Sequence, residues 1–119
     1  MTNLERLIIE MSSKQYFPQQ TYEAVLSENG LDPYDDYDKS NRIELLESVY
    51  SIWQMLSNDI DNFRKTETEF ITTSAAYAFI NKRLNDIRAE IDRLNDLSKE
   101  SENLYMDKDS SIGYLFYNS

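Results

Sequence analysis

The stretch DYDKSNRIELLE, Asp36 to Glu47, spaces its oxygen-bearing residues like a calcium-binding loop. Such a loop ligates through positions 1, 3, 5, 7, 9 and 12, because a hard cation takes six or more oxygens. Here those positions hold Asp36, Asp38, Ser40, Arg42 through its carbonyl, Glu44 and Glu47, with the apolar Ile43 at the eighth. Two features oppose a metal site. The sixth position is Asn41, which tolerates a positive φ less well than the usual Gly. Gly30 and Pro33 also break the chain just upstream, where an entering helix should end. The same letters describe a helix start. Asn41 or Ser40 serves as N-cap; with Asn41 as the cap, Glu44 falls at the third helical position and completes a capping-box pattern. Asp35, Asp36 and Asp38 then lie near the positive end of the helix dipole. We read the stretch as a cap and expect neither metal nor cofactor.

Other catalytic sets are thinly supplied. The chain has no His and no Cys, which removes the commonest general base, thiol catalysis and thiolate metal sites. Carboxylate pairs occur at Glu67 with Glu69 and at Asp86 with Glu90, but neither adjoins an apolar pocket signal. They read as charged linker and solvated helix face. Trp53 and Tyr50 stand at helical spacing and read as core rather than as a stacking platform for a ligand. No enzyme is expected.

Composition bounds the partners. The 119 residues suit one small domain and carry a formal charge of −10, from 22 acidic and 12 basic residues. The cations are scattered, so sequence-specific nucleic-acid binding is not expected. An acidic surface does suit a protein that works near DNA without adhering to it. Met1–Met11 is amphipathic and carries Glu5, Arg6 and Glu10, which is unlike a signal peptide. No run of about 18 apolar residues is present, so no membrane span is expected.

The elements that hold these residues are helical, since only two Gly and two Pro interrupt the chain. Leu4, Leu7, Ile8 and Met11 mark a first helix over 3–11, capped by Thr2 or Asn3. Pro18 fits the first position of a second helix over 18–28, closed by Gly30, with Leu31 placed to fold back on it. Residues 31–39 form an acidic connection whose Tyr34 and Tyr37 belong on the surface or in a shallow groove. A first long helix is predicted over 41–63, with Ile43, Leu46, Val49, Tyr50, Trp53, Leu56, Ile60 and Phe63 on one face. A charged linker over 64–72 is anchored by Phe70 and Ile71. A second long helix over 74–104 turns Ala76, Phe79 or Ile80, Leu84, Ile87, Ile91, Leu94 and Leu97 or Ser98 inward. It pairs with the first as a helical hairpin. After a polar break at 108–111, IGYLFY concentrates apolar and aromatic side chains near the C-terminus. Ile112, Tyr114, Leu115, Phe116 and Tyr117 are therefore expected to contact a partner.

The sequence thus predicts an all-α fold: a small bundle of about four helices in 1–104, two long ones forming a hairpin, and an extended C-terminal arm over 105–119. In layout the chain resembles the small helical head–tail connector (adaptor) proteins of tailed bacteriophages. The likeness is carried by a short first helix, a second ending in SENGLDPYDDYD (Ser27–Asp38), the long NRIELLESVYSIWQMLSNDIDNFR (Asn41–Arg64), a polar linker, another long helix and a C-terminal extension. It covers roughly residues 1–104. The long helix after Thr73 and the aromatic tail depart from the family. The resemblance implies a non-enzymatic virion protein that forms a homo-oligomeric ring between portal and tail, with DNA passing nearby. It implies residence in the host cytoplasm before assembly. The other reading of the same residues is a small acidic regulatory or protein-binding module, monomeric or dimeric.

Overall fold

The computed structural model describes residues 1–67 and 72–110. Among them are five α-helices and no strand: α1 (Asn3–Glu10), α2 (Gln19–Glu28), α3 (Arg42–Asn58), α4 (Ile60–Thr66) and α5 (Thr73–Ser110), with a 3₁₀ turn at Lys39–Asn41. The fold is an all-α bundle. No helix among the described residues is long and apolar enough to cross a membrane.

Helix α1 is short, so its ends must be held. Thr2 Oγ1 accepts the Glu5 N–H at 3.1 Å and the Glu5 carboxylate accepts the Thr2 N–H at 2.8 Å, a reciprocal capping box. Further N–H groups of its first turn are met from a distance. Asn3 N–H donates to the Asp35 carbonyl and Leu4 N–H to the Pro33 carbonyl, both at 2.9 Å. The buried Asn3 side chain donates to the Asp32 carbonyl at 2.8 Å. The acidic connection is therefore strapped across the start of α1.

The exits of α1 and α2 share one geometry. Leu31 N–H donates to the Leu26 carbonyl and Gly30 N–H to that of Ser27, a Schellman closure with Gly30 at φ 84°. Ser13 N–H donates to Ile8 and Ser12 N–H to Ile9 in the same pattern, but here Ser12 and Ser13 adopt φ of 59° and 60° without a glycine. Pro18 is the N-cap of α2 rather than its first residue, so α2 begins at Gln19. Its Tyr22 is fully buried, and the hydroxyl accepts the Tyr16 N–H at 2.8 Å.

The predicted helix over 41–63 is two helices. Asp59 leaves helical geometry, and its carboxylate accepts the Asn62 N–H at 3.4 Å to start α4. The Asn58–Asp59 pair explains the break, since both side chains compete for backbone groups and favour caps over helix interiors. The predicted capping box at Asn41 and Glu44 also gives way. Asn41 makes no side-chain cap bond; Asp38 instead accepts the Ser40 N–H at 2.9 Å and nucleates the 3₁₀ turn that feeds α3.

Helix α5 lies antiparallel along α3 as the predicted hairpin, with Thr72 Oγ1 accepting the Ala75 N–H at its start. Ala76, Ile80, Ile87 and Ile91 are buried on it against Leu45, Val49, Ile52, Trp53 and Leu56. Arginines of α5 cover aromatics of α3: Arg88 lies 4.5 Å from the Tyr50 ring centroid and Arg83 lies 5.6 Å from that of Trp53. The helix continues past Leu104, through the expected polar break, to Ser110. No Gly or Pro intervenes, and Glu, Lys, Leu and Met are good helix formers.

Candidate functional site

As far as Lys99, Leu94 is the last residue of α5 that packs on the core; Asn95 to Lys99 are exposed, so Leu97 and Ser98, expected on the inner face, lie past the end of the core they were to cover, with Leu97 48% exposed. Helix α5 runs on from there to Ser110, a further length of about 24 Å at the helical rise. Ile112, Tyr114, Leu115, Phe116 and Tyr117, predicted for partner contact, lie outside the described residues, as do Phe70 and Ile71.

At the root of that stretch lies a cleft of about 520 Å³ lined by Arg6, Tyr37, Lys39, Arg42, Glu90, Arg93 and Leu94. Its parts come from α1, the acidic connection, the 3₁₀ turn, α3 and α5, which the strapping of 31–39 across α1 brings together. The Glu10 Oε2 accepts both Arg6 at 2.7 Å and Arg42 at 2.8 Å. Partial burial works against the Arg42 charge, but the Glu10 hydrogen bond and charge outweigh it and raise its pKa. Arg93 pairs with Glu90 at 2.7 Å. The Arg6 guanidinium also stands 5.6 Å from the Tyr37 ring centroid. Tyr37 thus lies in a groove, as expected, while Tyr34 is 64% exposed and bonds Glu23 through its hydroxyl.

The calcium-like stretch supplies this cleft with cations instead of assembling ligands. The Asp36 backbone is held in an antiparallel bridge with Thr2, the Asp38 carboxylate is spent on its turn, and that of Glu47 on Arg88 at 3.4 Å. Among the described residues no three acidic side chains gather to hold a metal ion.

A second cleft, of about 320 Å³, opens near the other end of the hairpin beside Tyr16, Trp53, Phe79, Glu67, Lys14 and Arg83. Trp53 is buried, in edge contact with Phe63 at 5.9 Å and Phe79 at 6.0 Å. Tyr50 is half-buried beneath Arg88. Burial, and then the Glu67 charge, hold the Tyr16 hydroxyl well above its ordinary pKa. Glu67, read from sequence as linker charge, is 8% exposed and paired with Lys14. Glu69 lies outside the described residues. Asp86 pairs with Lys82 at 3.0 Å on an open helix face. Glu67, Asp86 and Glu90 thus each face a cation.

The chain matches no protein-family model, no curated protein and no solved structure. Its function is argued from the surfaces themselves. Sequence reasoning missed the basic cleft because its cations are far apart in the chain. The one signal was Lys39 and Arg42, set close after Asp38, whose carboxylate the backbone consumes.

Proposed function

We propose that the protein is a structural subunit of a phage particle: a head–tail connector that joins portal to tail as an oligomeric ring and catalyses no reaction. The observation that carries this reading is the division of α5. Thr73 to Leu94 pack on the bundle, and the helix runs on to Ser110, exposed over Asn95 to Lys99 and followed in the sequence by an aromatic C-terminal segment. An exposed helical stretch gains little stability from its own backbone. A neighbour in an assembly would give it a surface to pack on.

In this reading the bundle is a rigid wedge and the C-terminal segment is a fastening. Ile112, Tyr114, Leu115, Phe116 and Tyr117 contact portal, tail or an adjoining subunit, since aromatic side chains make strong interface anchors. The charge of −10 keeps the ring from holding DNA that passes through it. The subunit resides in the host cytoplasm before assembly and at the portal–tail junction afterwards. The order of helices, shared in outline with connector proteins, supports the same reading.

Mixing the purified chain with portal protein tests it by light scattering and electron microscopy. The expected product is a large ring-shaped complex that is lost when residues 105–119 are removed. Small species that ignore portal, with or without those residues, would contradict the reading and favour a small acidic binding module.

A further inference from the structure

We propose that copies of this chain join head to tail, the acidic projecting stretch of α5 in one copy docking against the basic cleft of the next. The proposal rests on the connector reading for the expectation of a homo-oligomer, and it adds the surfaces that make one.

Charge complementarity identifies the occupant. The chain carries 12 basic residues against 22 acidic, yet Arg6, Lys39, Arg42 and Arg93 converge on one cleft. Two carboxylates, Glu10 and Glu90, pair with three of these cations. Lys39 forms no ion pair among the described residues, and the enclosed Arg6 Nε has no acceptor among them. The cleft thus retains positive charge, carried chiefly by the exposed Lys39. The projecting stretch has the opposite balance: Asp96, Glu100, Glu102, Asp107 and Asp109 against Lys99 and Lys108. It also carries the exposed Leu97, which suits the apolar parts of Tyr37 and Leu94 in the cleft wall.

The stretch cannot serve its own copy. Arg93 and Leu94 are both cleft wall and root of the projection, and no Gly or Pro between Asn95 and Ser110 allows the helix to turn back. The contact therefore runs between different patches on successive copies. Repeated, such a heterologous contact closes as a ring when its rotation divides a full turn, and otherwise grows as a filament.

Charge reversal of each side separately tests the contact, read by sedimentation of the full chain without portal. The variants are K39E with R93E in the cleft, E100K with E102K in the helix, and all four together. Lys39 and Arg93 are exposed and serve no core packing, so unchanged thermal unfolding will show that the cleft variant is folded. The natural chain is expected to sediment as an oligomer. Each reversal alone should weaken association by about 100-fold or more, as like charges meet. The fourfold variant should recover to within about tenfold of the natural chain, because opposite charges face each other again.

A natural chain that stays a 14.1 kDa monomer at every concentration overturns the proposal. So does an oligomer indifferent to either reversal, or a fourfold variant no better than its parents. A monomer that still binds portal leaves the connector reading standing without this contact. A charge-sensitive oligomer that ignores portal does the reverse.

Discussion

The two halves of α5 share one backbone geometry and differ in what surrounds them. From Thr73 to Leu94 the helix presents Ala76, Ile80, Ile87 and Ile91 to the core, and arginines on its flanks cover the aromatics of α3. Beyond Leu94 the helix leaves the bundle, and Leu97 is 48% exposed. The difference separates two tasks that a helical pattern alone confounds. An apolar residue on the first half holds the fold together; one on the second half is available to another molecule.

Truncation on the packed half has the largest expected effect. Ile80→Ala or Ile91→Ala removes a fully buried side chain, and each should cost about 2–4 kcal/mol in denaturant unfolding. Leu97→Ala should change stability by less than about 0.5 kcal/mol while weakening association. Equal losses of stability at Ile80 and Leu97 would erase the distinction between the halves.

The helix exits give a smaller contrast, with opposite signs. Gly30→Ala places a side chain at φ 84° and should cost about 1–2 kcal/mol, although no atom lies within 4 Å of the added Cβ. Ser12→Gly relieves the same conformation in α1 and should stabilise by about 1 kcal/mol. Thr2→Ala removes one arm of the capping box, at a cost of about 1 kcal/mol. It also has a pH signature. The Thr2 N–H, and then the Thr2 hydroxyl, hold the Glu5 carboxyl below its ordinary value of 4.5. A depressed carboxyl contributes its stability above that value and loses it as pH falls through the folded-state pKa. In an NMR titration the Glu5 midpoint should therefore lie below 4.5 and return toward it in the Thr2→Ala chain.

The hairpin was legible because Ile80, Leu84, Ile87, Ile91 and Leu94 repeat at helical spacing and nothing interrupts them. Gly30 announced its turn. Ser12 announced nothing, since its left-handed backbone is imposed by Leu7 and Met11 on one side and Tyr16 on the other, all buried in one core. Asn58–Asp59 was a local signal hidden within a longer apolar stripe that runs on to Phe63. The acidic connection misled for a different reason. Its carbonyls cap α1 and Asp38 caps a turn, so chemistry that looks like cation binding is consumed by the backbone. The basic cleft depends on α1, α3 and α5 meeting, which no local pattern encodes.

Hydrogen exchange along α5, read amide by amide in dilute protein and again in the assembled state, tests the division most directly. Amides from Tyr77 to Leu94 should be protected in both conditions, and those of residues 99–110 should become protected only on assembly. Equal protection along the whole helix in dilute protein, or residues 99–110 unchanged by assembly, would contradict it.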